Sequence, residues 1–263
     1  MPAFYAHSRF GAKVAEQMKG ELREIIRKHY RQFEIGLQGP DLYFFYRAYG
    51  SNPVSKYGIY LHGISARPFL EHGLEVVRKI GRESREYAYL LGFLCHFVLD
   101  SECHPYVSEM MEKTGVAHME IEEEYEKLLL RMDGRNPFTF PIADRVPTDK
   151  TTAKVIAKFY QPMESRTVRK SLKWLKFVKN LFTEDSQWKQ NVINRIMKAV
   201  GKYEQYKGVM NQLEDNQECL ESNEGLLEKS IQAEHVAVQM LYQFDECLRS
   251  REPLPKRFDR TFE

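Results

Sequence analysis

No apolar run in this chain is long enough to cross a bilayer. The longest, from about Tyr87 to Leu99, leads straight into Asp100, well short of the roughly 20 residues a spanning helix needs. After Arg9 and Lys13 there is no apolar stretch of about 7–15 residues, so no secretory leader is read and a cytoplasmic location is expected. Cysteine is scarce: Cys95, Cys103, Cys219 and Cys247 form no CxxC pair and are too sparse for a disulfide framework, which points to reduced thiols. An excess of one charge is also lacking. With 39 basic and 37 acidic residues the formal net charge is +2, which excludes a nucleic-acid-coating protein and an acidic tail on bulk electrostatics, so any attraction to anions is local. A glycine-rich phosphate loop, a serine elbow and a Glu-x-x-His pair are missing too, which removes the P-loop, serine-hydrolase and carboxylate di-iron classes. No internal repeat or low-complexity tract is visible.

What remains is rich in Glu, Lys, Leu and Arg at amphipathic spacing, with few alternating β-branched runs. The expected fold is all-α, a multi-helix bundle, with helices near residues 6–18, 21–34, 65–80, 84–103, 116–131, 151–160, 164–182, 186–204 and 223–249. At 43% hydrophobic residues the chain can build a core without staples. One helical domain over residues 1–250, followed by an irregular tail over 251–263, is the expected organisation. Two Gly- and Pro-containing loops stand out, 36–41 and 133–150, where irregular backbone can present single side chains.

The chemistry concentrates in Gly92-Phe-Leu-Cys-His-Phe-Val-Leu-Asp-Ser-Glu-Cys-His-Pro-Tyr106. His96, Asp100 and His104 recur every four residues, which on a helix places them on one stripe. His118 and Glu122 repeat the interval on the next segment. A lone histidine in an apolar run is usually a packed core residue, but an aspartate among Phe93, Leu94, Phe97, Val98 and Leu99 is costly to bury without a cation or several donors. Imidazole and carboxylate at this spacing form a metal-ligand pattern. Cys103 falls near the same stripe and is read as packing. Upstream, His7, Asp41 and His62 are further candidates, each weak alone, while His29, His72 and His235 lack any partner pattern.

The order His7, Asp41, His62, His96-x3-Asp100, His104, His118-x3-Glu122 resembles the zinc-dependent phospholipase C family, which is related in fold to the fungal single-strand-specific zinc nucleases. The likeness covers the chain through about Lys127. It implies a helical fold around two or three Zn²⁺ ions. Asp41, His62, His96 and Asp100 would hold one, Asp100 would bridge to a second that also takes His7, and His104, His118 and Glu122 would hold a third. Secreted members complete the His7-type site with a mature N-terminal tryptophan, which this chain lacks. With Met1 removed, Pro2 becomes the terminal residue five positions before His7, the interval those nucleases use. His104 also departs from the pattern, lying slightly early and before Pro105 instead of after a proline.

Two divalent ions against three carboxylates leave a centre of charge about +1, and three leave about +3, which favours an anionic substrate. The expected activity is that of a metal-dependent phosphoesterase, attacking the phosphorus of a phospholipid or small phosphodiester with metal-bound hydroxide, Asp41 also acting on the attacking water. A nuclease or nucleotidase on the same scaffold would need stacking aromatics, for which Tyr43, Phe44, Phe45, Tyr46, Tyr60 and Tyr106 are at hand. A non-catalytic scaffold stapled by metal is the alternative from another class. The segment 166–182 carries six basic residues and no acid, and is read as a basic amphipathic helix capable of peripheral membrane contact. Nucleic acid is not a partner in the leading reading.

Overall fold

The computed structural model describes residues 3–183, 186–201, 203 and 207–263. Its helices are α1 (Phe4–Gln17), α2 (Gly20–Lys28), α3 (Tyr30–Gly36), α4 (Pro53–His62), α5 (Arg67–Ile80), α6 (Arg85–Thr114), α7 (His118–Met132), α8 (Lys150–Ala157), α9 (Ser165–Phe182), α10 (Gln187–Ala199) and α11 (Leu220–Ser250). Short 3₁₀ turns join them, including Gly39–Tyr43 between α3 and α4. There is no strand among the described residues, so the all-α expectation holds.

The boundaries depart from the expected ones in four places. The 21–34 segment divides at His29, whose φ of −122° and ψ of 35° leave the helical region. α4 has no counterpart among the expected helices. It starts at Asn52, whose side chain accepts from the Val54 and Ser55 amides while the Ser55 hydroxyl accepts from the Asn52 amide, with Pro53 in the first turn. α6 continues past Pro105 to Thr114. The 186–204 segment is helical over α10, and part of the remainder lies outside the described residues.

α6 is the axis of the molecule. Nearly every side chain from Glu86 to Ser101 is buried on every side of the helix, the signature of a helix enclosed by others. α3 packs most closely on it. The two backbones meet at glycines: a Cβ on Gly92 would lie 2.1 Å from the Phe33 carbonyl oxygen, and one on Gly36 would lie 2.2 Å from that of Tyr89. This contact delivers the end of α3, and the turn bearing Asp41, onto the His96 stretch of α6.

The terminal segment 251–263, expected as an irregular tail, carries one 3₁₀ turn, Lys256–Asp259, and packs three of its side chains against the core. Leu254, Phe258 and Phe262 are all buried. Arg67 gathers its first half, donating to the Leu254 and Pro255 carbonyls and to Asp259. Its second half pairs with the chain after α4, the Ala66 amide donating to the Arg260 carbonyl and the Phe262 amide to that of His62.

Pro105 explains a further tie. Its missing N–H frees the carbonyl one turn back, at Ser101. The Arg260 guanidinium donates to that carbonyl and, at 3.0 Å, to Glu102. On the opposite side of the core Lys127, buried on α7, donates at 2.9 Å to Glu124 and to the Gln212 carbonyl, fixing the segment before α11.

Gly92→Ala is expected to destabilise the protein by about 3 kcal/mol, because its Cβ meets backbone and cannot be relieved by a rotamer change. Gly63→Ala, where the nearest atom is 3.9 Å away, should stay within about 0.5 kcal/mol. Urea unfolding of the two variants checks the difference, and equal midpoints would contradict the close-packing role of Gly92.

Candidate metal centre

The eight candidate ligands come from five elements of the chain and converge. α6 supplies His96, Asp100 and His104 from three successive turns, α7 supplies His118 and Glu122, α1 supplies His7, α4 ends on His62, and the 3₁₀ turn after α3 carries Asp41. Donor atoms of His7, His96 and Asp100 all lie within 4.8 Å of one another, as do those of Asp41, His62 and His96, and those of His104, His118 and Glu122. All are buried except His118, whose side chain is 36% exposed.

Backbone carbonyls set the imidazoles. His62 Nδ1 lies 2.8 Å from the Gly58 carbonyl, His96 Nδ1 3.1 Å from that of Leu37 and His104 Nδ1 2.6 Å from that of Phe262. A carbonyl can only accept, so each Nδ1 carries a proton and each Nε2 is the nitrogen turned to the centre, free to offer its lone pair to a metal. Such outer hydrogen bonds orient ligating histidines in metal sites. Gly39, at φ +45°, lets the backbone lie against His96, since a Cβ there would stand 2.2 Å from the ring.

The carboxylates divide the donors. Asp100 Oδ1 lies 3.3 Å from His7 Nε2, while its Oδ2 lies 3.2 Å from His96 Nε2 and 3.8 Å from His62 Nε2. Asp41 Oδ1 is 2.9 Å from His62 Nε2 and 4.0 Å from His96 Nε2. Glu122 Oε1 is 2.6 Å from His118 Nε2 and 3.5 Å from His104 Nε2. Ligands around a tetrahedral zinc stand about 3.3 Å apart, so these separations suit a small ion.

Hydrogen bonding leaves much of the cluster unpaired. Both nitrogens of His7, both oxygens of Asp100, Glu122 Oε2 and Nε2 of His62, His96 and His104 are buried with no hydrogen-bond partner among the described residues. Their lone pairs face a common interior, which is expensive unless a cation occupies it. The residues present therefore fit zinc.

The same proximity governs protonation in the metal-free chain. Burial pushes the Asp41 and Asp100 carboxyls up, but the positive charge around them outweighs it and holds both well below the usual carboxylate range, with His96 the foremost such group at Asp100. Burial opposes ionisation of Glu122 as well, yet His118 and His104 bring it down to about 2. Burial lowers His96 to about 4. At His104 burial is overcome by Asp100 and Glu122, and the ring rises to about 9. The carboxylates are thus anionic at neutral pH and need no proton removed to meet a metal.

The other sequence candidates fall outside the centre. Cys103 is a buried free thiol in none of the donor groups, and the remaining cysteines are likewise free and buried. His72 Nε2 pairs with the Lys158 carbonyl and His29 Nε2 with that of Glu83. Pro2, expected to supply a terminal amine beside His7, lies outside the described residues.

Three supporting groups were not foreseen. Glu126, buried one turn beyond Glu122, accepts from the Tyr5 amide at 2.7 Å. This places a carboxylate at the start of α1, where the helix dipole favours one, and fixes the turn that carries His7. Phe262 supplies the carbonyl that orients His104, and its ring packs 5.1 Å from His62 and 5.8 Å from His96. Arg260 holds that tail in place. The four-residue spacing of Leu254, Phe258 and Phe262 was the available signal that the tail is buried.

A family model described as zinc dependent phospholipase C matches residues 6–198. The match therefore runs well beyond Lys127, through α7 to α10, and stops short of α11 and the tail. No curated protein and no solved structure matches.

His96→Ala and His118→Ala should each lower the zinc content by about one equivalent, read by elemental mass spectrometry of protein purified without chelator. Deleting Thr261–Glu263, which removes the partner of His104 Nδ1, should weaken zinc binding by about 10–100-fold in competition with a chromophoric chelator. Phe262→Ala keeps the carbonyl and should weaken it less. Unchanged affinity in the deletion would show that the tail does not orient His104.

Proposed function

The chain belongs to the zinc-dependent phospholipase C family, and on that premise we propose that it is a metal-dependent phosphoesterase acting on a phospholipid or a small phosphodiester. The observation that carries this reading is that the two buried oxygens of Asp100 face different histidines, His7 and His96, so that this side chain would serve two neighbouring ions. Paired metals a carboxylate apart are the arrangement that clamps the attacking and leaving oxygens of a phosphate ester.

Asp41, His62, His96 and Asp100 would hold the first zinc, His104, His118 and Glu122 another, and His7 with Asp100 a further one. His96 can serve a single ion, because its Nδ1 is committed to Leu37. Bound zinc supplies Lewis acidity and a water acidic enough to attack phosphorus near neutral pH. The chain's own groups do the rest. The five imidazoles and three carboxylates give a loaded centre net positive charge, which draws in a phosphate anion. Asp41, whose Oδ1 lies 2.9 Å from His62 Nε2, would also act on the attacking water as proton acceptor. His118, the one partly exposed ligand, marks the side from which substrate reaches the centre.

The aromatics that a nuclease would use are mostly committed to packing. Tyr43 and Phe45 are buried, and Phe44 lies 4.9 Å from the His62 ring. Tyr60, at 59% exposure, is the most open of them.

Zinc-loaded protein is expected to turn over members of a panel of phospholipids and small phosphodiesters, with Asp41→Asn lowering kcat by roughly 100-fold or more. Full zinc content with no turnover on any ester would favour the metal-stapled scaffold, and faster cleavage of single-stranded DNA than of lipid would favour the nuclease.

A further inference from the structure

α9 carries six basic residues and no acidic one, in a chain whose charges otherwise nearly balance. The helix sorts them by depth. Val168, Leu172, Leu175 and Val178 are buried, while Arg166, Lys170, Lys173, Phe177 and Leu181 form an exposed stripe at spacings of three and four. Arg169 and Lys176 are engaged with the Thr148 carbonyl and Asp144. Arg166, Lys170 and Lys173 have no carboxylate within ion-pair distance among the described residues. Structural ties thus account for part of the charge and leave the exposed part without a task.

The far end of the same stripe is apolar. Phe177 is 55% exposed, and Trp174 beside it packs edge-on against Phe177 at 5.6 Å and against Tyr49 at 5.8 Å. Tyr49, at 79% exposure, projects from the loop that follows Asp41, next to the exposed Arg47. A cationic row running into an aromatic wedge matches an anionic bilayer surface, where lysine and arginine meet headgroups and tryptophan and tyrosine sit at the interface. Among the described residues no helix is long and apolar enough to cross a membrane, so contact would be lateral.

We propose that the exposed face of α9, together with the Tyr49 loop, docks the protein on anionic phospholipid surfaces. Docking requires neither metal nor turnover, so it stands or falls separately from the phosphoesterase reading. It would bring the chain stretch bearing Asp41 towards the membrane, because Tyr49 lies only eight residues after Asp41 and Lys179 of α9 lies over the Phe45 ring at 5.8 Å.

The test is co-sedimentation of the full chain with vesicles of pure phosphatidylcholine and with vesicles containing roughly one-third phosphatidylserine. Binding should be at least tenfold tighter to the anionic vesicles and fall as salt is raised. Lys170→Glu with Lys173→Glu should remove that advantage, and Tyr49→Ser with Phe177→Ser should weaken binding at any salt. In a Trp188→Phe background, Trp174 emission should shift to the blue on binding. These side chains are exposed, and unchanged thermal unfolding and zinc content of the variants would separate lost docking from misfolding. Equal binding to both vesicles, an unaffected Lys170/Lys173 variant, an unshifted Trp174 or displacement of vesicles by a single-stranded oligonucleotide would each overturn the proposal.

Discussion

Three carboxylates, Asp41, Asp100 and Glu122, are buried in a helical core and faced by imidazoles rather than by arginine or lysine. Much of the structure follows from making that burial tolerable. An ionised carboxylate taken out of water costs several kcal/mol unless charge and hydrogen bonds replace its hydration. Neutral histidine supplies only part of this. Nδ1 of His62, His96 and His104 is occupied by a backbone carbonyl, which leaves only Nε2 of each to face the carboxylates. Imidazoles and carboxylates held this close in a buried centre are a standing demand for a cation, and the fold is arranged to keep them in place.

The backbone does most of that arranging. The glycine contact between α3 and α6 sets the depth at which Leu37 meets His96, and Gly39 then brings the Asp41 turn across the same ring. On the opposite flank Pro105 interrupts the hydrogen bonding of α6 and frees the Ser101 carbonyl. Arg260 takes it, and two residues later the Phe262 carbonyl receives His104. The helix defect and the metal ligand beside it are therefore served by one short segment. That segment lies outside the stretch that the family model matches.

The centre was legible where one helix carried several ligands. His96, Asp100 and His104 on α6, and His118 and Glu122 on α7, stand at a spacing that a helix alone turns into proximity, so no knowledge of tertiary structure was needed. His7, Asp41 and His62 gave no such signal, since each reaches the centre through packing of a different element, and only the order of residues in a known family joined them. α4 was missed although Asn52, Pro53 and Ser55 are a strong start signal, because Gly58 and the aromatics around it obscure helical periodicity. The break at His29 is set by tertiary contact with the Glu83 carbonyl. Carbonyl partners were invisible in principle: any residue at position 262 has a carbonyl, and only the path of the chain decides what it meets.

The near-neutral net charge conceals how charge is divided. Acidic side chains gather inside, on α7, where Glu120, Glu122, Glu123, Glu124 and Glu126 are all buried and each has a separate partner or site. Glu126 holds the start of α1, Glu124 meets Lys127, Glu120 meets Lys207 and Glu122 faces two histidines. Basic side chains gather outside, on α9, which contains no acid to neutralise them. α7 can therefore bury a row of glutamates only because cations, backbone donors and ligand histidines meet them, some from α7 itself and some from other elements, whereas α9 leaves most of its charge in water. An interior that attracts cations and an outer helix that attracts anions are opposite consequences of the same segregation. Total composition, which sums them nearly to zero, describes neither.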